Sequence, residues 1–147
     1  MEVDIEIVGS DRNEYVKIGC HKVDERVKDI ERYVKLRQGS IEGIREGRQY
    51  TVPVSDILYA ESVDERSFIY LKDECFESKK KLYELEEMLK PYHFTRISKS
   101  AVVNLLKIVS IKPALNGRFL CLMDNDEEVI ISRKYVPEIK KKLRGEA

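Results

Sequence analysis

The chain has 147 residues, 37% of them charged and 42% hydrophobic, with a formal net charge of zero. That length supports one compact domain, or one domain with a small extension, and no apolar run approaches the roughly 20 residues of a membrane-spanning helix. Met1-Glu2-Val3-Asp4 lacks the basic-then-apolar order of a secretory signal, and Cys20, Cys75 and Cys121, odd in number and far apart, are expected as reduced thiols in a cytoplasm, not as a disulfide frame.

Val3-Asp4-Ile5-Glu6-Ile7 alternates apolar and charged residues, the pattern of a half-buried strand. Gly9 to Asn13 reads as a turn, and Tyr15-Val16-Lys17-Ile18 as a second strand. Val23, Val27, Ile30, Tyr33, Val34 and Leu36 fall at helical spacing, with Asp24 and Glu25 where a helix dipole favours acids, so one amphipathic helix is expected to end near Gln38-Gly39. Residues 1–40 thus read as a small ββα element that packs on the rest, with residues 41–147 as the main domain.

The main domain is mostly strand-like. Ile41–Ile44, Gln49–Val54, Ile57–Glu61, Ser67–Leu71 and Cys75–Ser78 are strand candidates, and Asp64-Glu65-Arg66 is a charged loop. Leu82, Leu85, Met88 and Leu89 form one helical stripe closed by Pro91. Ala101–Asn104, Val109–Lys112, Arg118–Met123 and Val129–Ser132 are further strands, joined by turns at Asn116-Gly117 and Asp124-Asn125-Asp126. Tyr135 to Leu143 reads as a short basic helix. The fold class is α+β, mostly β.

Nothing in the chain carries a catalytic signature, and an enzyme is not expected. His21 and His93 stand far apart and outside any metal-ligand spacing. His93, beside Phe94, reads as a strand-entry residue. The seven glycines are scattered, so there is no phosphate-cradling loop. Acid pairs such as Asp64-Glu65 and Glu127-Glu128 are adjacent in sequence, as on solvated turns. No cofactor, metal or small-molecule substrate is implied.

Charge is segregated along the sequence. From Phe94 to Met123 there are five bases (Arg96, Lys99, Lys107, Lys112, Arg118) and no acid, and Arg133 to Arg144 carries six bases against Glu138. Residues 54–77 instead carry seven acids against Arg66 and Lys72. A chain so divided can offer a basic side to a polyanion and turn its acidic side away.

The ordered motifs Ser55-Asp56-Ile57-Leu58-Tyr59-Ala60-Glu61, the Leu82-to-Leu89 helix, Phe94-Thr95-Arg96-Ile97-Ser98-Lys99-Ser100 with Val102-Val103-Asn104, and Ser132-Arg133-Lys134-Tyr135 together resemble the LytTR DNA-binding domain of bacterial transcription regulators. The resemblance covers roughly Ile41 to Leu143. It implies stacked antiparallel sheets with short helices whose loops read successive major grooves. It also implies a double-stranded DNA partner and a regulator acting as a homodimer on repeated half-sites, one or two helical turns apart.

By that resemblance, Lys99 and Arg133 are base-reading positions, and the loop after Tyr59-Ala60-Glu61 supplies a third at Ser67 or Arg66. Arg133 suits a bidentate bond to guanine. Arg66 has the alternative of pairing with acids in a surface turn. Arg96, Ser98, Ser100 and Lys134 are phosphate-contacting candidates, with an internal salt bridge as the alternative for Arg96. Asn104 is expected to brace the Lys99 loop from below by hydrogen bonding. Lys140, Lys141 and Lys142 fit a solvated, dipole-compensating helix end better than direct contact. Lys99 departs from the polar amide common at its position. The roughly 40 residues before the match are too few for a phosphoacceptor receiver domain. The resemblance therefore points to the stand-alone subgroup, held in check by a membrane-bound partner, with residues 1–40 as a dimer or partner surface. The rival reading is a protein-interaction subunit without nucleic-acid binding.

Overall fold

A computed structural model describes residues 1–145. The first helix, α1, runs Glu25–Arg37, two residues inside the expected start, because the Asp24 carboxylate caps it by accepting from the Val27 N–H at 3.0 Å. Five strands come after it: β1 (Ser40–Arg45), β2 (Arg48–Pro53), β3 (Tyr59–Val63), β4 (Arg66–Tyr70) and β5 (Cys75–Ser78). Helix α2 (Leu82–Leu89) comes next, then β6 (Phe94–Ser98), β7 (Ala101–Asn104), β8 (Ile108–Pro113), β9 (Phe119–Met123), β10 (Glu128–Ile131) and helix α3 (Val136–Leu143). No helix among the described residues is long and apolar enough to cross a membrane.

All strand pairings are antiparallel. One sheet has seven strands in the order β2-β1-β5-β4-β3-β7-β6, and a second has three in the order β10-β9-β8. Alternation along the large sheet divides its side chains between two cores. Ala60, Ile69, Phe76 and Val102 point to one face, where Leu82, Leu85 and Leu89 of α2 cover them. Tyr59, Ala101 and Val103 point to the other, against Cys121, Met123, Val129 and Ile131 of the small sheet and Val136 and Ile139 of α3. The large sheet is therefore sandwiched, and strand β7 is buried at every position.

Helix α1 lies against β1 and β2 with Val27 buried, and its Lys35 pairs with Asp56 at 3.0 Å. The sheet itself begins at Ser40.

Two expectations change. The strands expected at Val3–Ile7 and Tyr15–Ile18 do not form, so the ββα element reduces to its helix and one reverse turn, where the Arg12 N–H donates to the Gly9 carbonyl at 3.0 Å. A lone two-stranded ribbon is marginal in water, and among the described residues nothing covers Val3, Ile5, Ile7 or Val16. Conversely, the loop expected over Arg96 to Ser100 is shorter, because Arg96, Ile97 and Ser98 belong to strand β6. Phe94, Thr95 and Ile97 are buried, and only Lys99 and Ser100 are left to turn. His93 does enter that strand, in a left-handed conformation at φ 70°.

Candidate nucleic-acid interface

The Lys99 turn is built from β6 upward. The register slips between Arg96 and Ser98, a bulge at Ile97 that re-aims the strand end. The Arg96 guanidinium then ties the turn down. Its Nε donates to the Ser98 carbonyl and its Nη2 to the Lys99 carbonyl, both at 2.7 Å, while Nη1 donates to Glu86 of α2 at 2.8 Å. Ser98 Oγ accepts from the Ser100 N–H at 3.2 Å. Arg96 and Ser98 thus spend their groups on shaping the turn, and the Arg96 ion pair weighed as an alternative forms. Lys99 and Ser100 are left exposed at the tip.

Two backbone hydrogen bonds bring the other candidate loops to this turn. The Ser132 N–H donates to the Ile97 carbonyl at 2.8 Å, which seats Arg133 beside the turn. The Ser62 N–H donates to the Ser100 carbonyl at 2.8 Å, which fixes the β3–β4 hairpin on the other side. These bonds bring the backbone segments that carry Lys99 and Arg133 together at one end of β6. Both side chains are exposed, and neither makes an ion pair among the described residues. Lys134 is exposed too, its Nζ 5.4 Å from the Tyr135 ring centroid.

A fourth segment was missed in the sequence. The β8–β9 turn closes through Asn116 at φ 61° and Gly117 at φ 75°. A Cβ on Gly117 would stand 2.8 Å from Arg133 Cδ, so the aliphatic stem of Arg133 lies across this glycine. The dipeptide announced a turn, but nothing in the sequence announced its neighbour.

The β3–β4 hairpin corrects one assignment and qualifies another. Its two-residue loop, Asp64-Glu65, has both residues at positive φ (51° and 65°), as a type I′ turn demands. That register pairs Val63 with Arg66 and sends Ser67 inward, opposite Ser62 and Ser78. Ser67 is 3% exposed and is out of reach of a base edge. Arg66 is exposed, but its fork grips Glu77 with bonds of 3.0 and 2.7 Å, and this pairing holds the Glu77 carboxyl below its usual range. The acid partner is across the sheet, not in the turn.

Asn104 is a buried hydrogen-bonder as expected, but it braces a different place. Its Nδ2 donates to the Ile57 carbonyl at 2.9 Å and its Oδ1 accepts from the Leu106 N–H at 3.1 Å, at the end of β7 away from the Lys99 turn. Lys142 bonds Thr95 Oγ1 at 3.0 Å and Glu138 at 3.2 Å, and Lys140 lies 4.3 Å from the Phe119 ring centroid, so both serve the packing of α3.

Two further features shape the electrostatics. The acidic hairpin tip, Asp64-Glu65, adjoins the basic turn through the Ser62–Ser100 bond, so the charges segregated in sequence meet in space. Behind the interface, Tyr59 and Tyr70 stack at 4.6 Å, and burial pushes the Tyr59 phenol up to about 12. Burial likewise lifts the Cys121 thiol to about 12, which keeps it unreactive.

Comparison with known proteins agrees with this architecture. The model of the LytTr DNA-binding domain matches residues 47–144. The solved LytTr DNA-binding domain of a methyl-accepting/DNA response regulator from Bacillus cereus superposes with a TM-score of 0.65 at 29% identity, covering 72% of this chain and 96% of that one. The transcriptional regulatory protein YpdB of Escherichia coli is 34% identical over 108 residues, and the matched part is 73% of this chain but 44% of that protein. The chain thus spans under half the length of that relative. An HTH-type transcriptional regulator of Staphylococcus aureus is 27% identical over 145 residues, covering 97% of this chain and 98% of that protein.

Proposed function

The chain belongs to the LytTR DNA-binding domain family, and from that membership we propose that it is a sequence-specific DNA-binding transcription regulator whose loops enter the major groove. The observation that carries this reading is the pair of backbone bonds, Ser132 to Ile97 and Ser62 to Ser100, that gathers the segments carrying Lys99 and Arg133 at one end of β6 in a rigid sandwich. Rigid strands under short loops hold base-reading side chains to the tolerance that recognition needs. Lys99 and Arg133 read bases, and Ser100 and Lys134 contact phosphates. Arg96 and Ser98 hold the turn. Arg66 reaches DNA only by releasing Glu77.

The regulator acts in the cytoplasm as a homodimer on two half-sites one or two helical turns apart, without catalysis, and a membrane-bound protein restrains it. Residues 1–40 serve pairing or restraint, and residues 41–147 serve DNA.

The test is selection of bound sequences from a random duplex pool, followed by titration of the enriched duplex. Arg133→Ala is expected to cost about 1–3 kcal/mol of specific binding and to relax the preference at one base position. An unchanged site preference in Arg133→Ala overturns the assignment. The acidic tip beside Lys99 favours one rival, a protein-interaction module with no nucleic-acid role. Failure of random duplex DNA to retain the protein at low salt would select that rival.

A further inference from the structure

Residues 1–23 hold neither helix nor strand, yet their sequence is patterned. The reverse turn at Gly9–Arg12 fixes which residues face each other if the segment closes as a hairpin. Counting outward from the turn sets Ile5 opposite Val16, Val3 opposite Ile18, and Asp4 opposite Lys17. One face of that hairpin is Val3, Ile5, Ile7, Val16 and Ile18 with Glu14 next to the turn, and the other holds Glu2, Asp4, Glu6, Tyr15 and Lys17 with Val8 next to the turn. In the single chain the apolar face is open to water, with Val3 89%, Ile5 94% and Ile7 96% exposed.

We propose that this face is covered by the same face of a second copy of the chain, and that the hairpin closes only in that pair. Three observations favour a second copy as the occupant. The face is aliphatic through its centre, with its one acid, Glu14, beside the turn, so it is self-complementary under a two-fold axis. Five branched side chains per copy, each worth roughly 100 Å², bring the pair to about 1,000 Å², the threshold of a specific interface. The arm also joins the molecule at the correct place. It leads into α1, which sits by β2 at one edge of the large sheet, whereas the Lys99 turn follows β6 at the other edge. The two lie on opposite edge strands, and the Lys99 turn is at the end of β6 away from Tyr92 and the α1 exit, so pairing leaves the DNA flank free. Gly19, with nothing within 4 Å of its Cβ position, and exposed Cys20 and His21 form the tether.

The inference deepens the proposed dimer by naming its surface. Sedimentation equilibrium of the full chain is the direct test, with Ile5→Asp and Val16→Asp on the apolar face and Glu6→Gln on the outer face as control. The wild type and Glu6→Gln are expected to be dimers, and both aspartate variants folded monomers whose melting temperature falls only by what dissociation itself brings and does not depend on protein concentration. The aspartate variants should bind a duplex with one selected half-site as the wild type does, and lose about tenfold or more on two half-sites. A monomeric wild type, or aspartate variants that remain dimers, overturns the proposal. If masses shift as expected while no protein binds duplex DNA, the pairing surface stands and the DNA reading falls.

Discussion

Arg133 depends on a neighbour with no side chain. Its stem crosses Gly117, where a Cβ would come within 2.8 Å, and Gly117 sits at φ 75°. Gly117→Ala must therefore both strain the turn and displace Arg133. Gly47 provides the control, since it has the same φ of 75° with nothing within 4 Å. Each alanine should cost about 1 kcal/mol of stability from backbone strain. Only Gly117→Ala should also weaken specific DNA binding, by more than threefold in a titration on the selected duplex. Equal binding by the two variants would show that the seat of Arg133 does not matter. Tyr59 gives a second residue-level expectation. Its phenol titrates at about 12, against an ordinary value of 10.0. Between those values the unfolded chain ionises this tyrosine and the folded chain does not, so stability is present below pH 10 and falls as pH rises toward 12. An absorbance titration of tyrosinate should show a late phase that Tyr59→Phe diminishes, the remainder coming from Tyr70, whose phenol burial also raises. Of these residues, Arg133 was singled out by the Ser132-Arg133-Lys134-Tyr135 motif, and it is exposed just after the last strand. Ser67 was misread because one residue of hairpin register decides between groove and core, and two non-glycine residues at positive φ set that register.

The element that governs the interface is the β6–β7 turn, and Arg96 is its clamp. Its guanidinium satisfies two turn carbonyls at 2.7 Å and reaches α2 through Glu86. Arg96→Gln frees both carbonyls, at a cost of about 1–3 kcal/mol of stability. It should also loosen Lys99, weakening specific binding more than non-specific binding. Glu86→Gln removes only the partly exposed ion pair, worth at most about 1 kcal/mol, and should leave DNA titrations unchanged. If Glu86→Gln impairs binding as much as Arg96→Gln, the clamp works through α2 and not through the carbonyls. Strand β6 itself was hidden in the sequence. Thr95, Arg96 and Ser98 break the apolar alternation, yet Thr95 is buried and its hydroxyl is paired with Lys142. Strands β1, β4 and β5 were legible because they keep the period of two, and β3 because Ile57 to Ala60 is a continuous apolar run. The arm misled for the opposite reason: its alternation is clear, but alternation states which face wants cover and not what provides it.

At the scale of the molecule, the question is where the folding unit starts. The family match begins at residue 47, inside the first hairpin, and so leaves out β1. The sheet does not respect that boundary, since β1 pairs along its whole length with β2 and joins β5. Helix α1 is bound to the same unit. Val27 is buried, Lys35 bonds Asp56, and the Val54 N–H donates to the carbonyl of Gly39, directly after the helix. Gly39 at φ 131° packs so closely on Tyr92 that a Cβ would meet the ring at 2.7 Å, which anchors the helix exit to the far end of α2. Residues 1–23 have no such ties. Removing residues 1–23 should leave the melting temperature within about 2 °C of the monomeric Ile5→Asp chain, because no core contact within the chain is lost. Removing residues 1–38 uncovers Val52 and Tyr50 and deletes Val27, a loss of roughly 2–4 kcal/mol, enough to lower the melting temperature by about 5–15 °C. Thermal unfolding followed by far-UV circular dichroism separates the two truncations. Equal melting temperatures would mean that α1 contributes nothing to the sandwich and that the unit begins at the first strand.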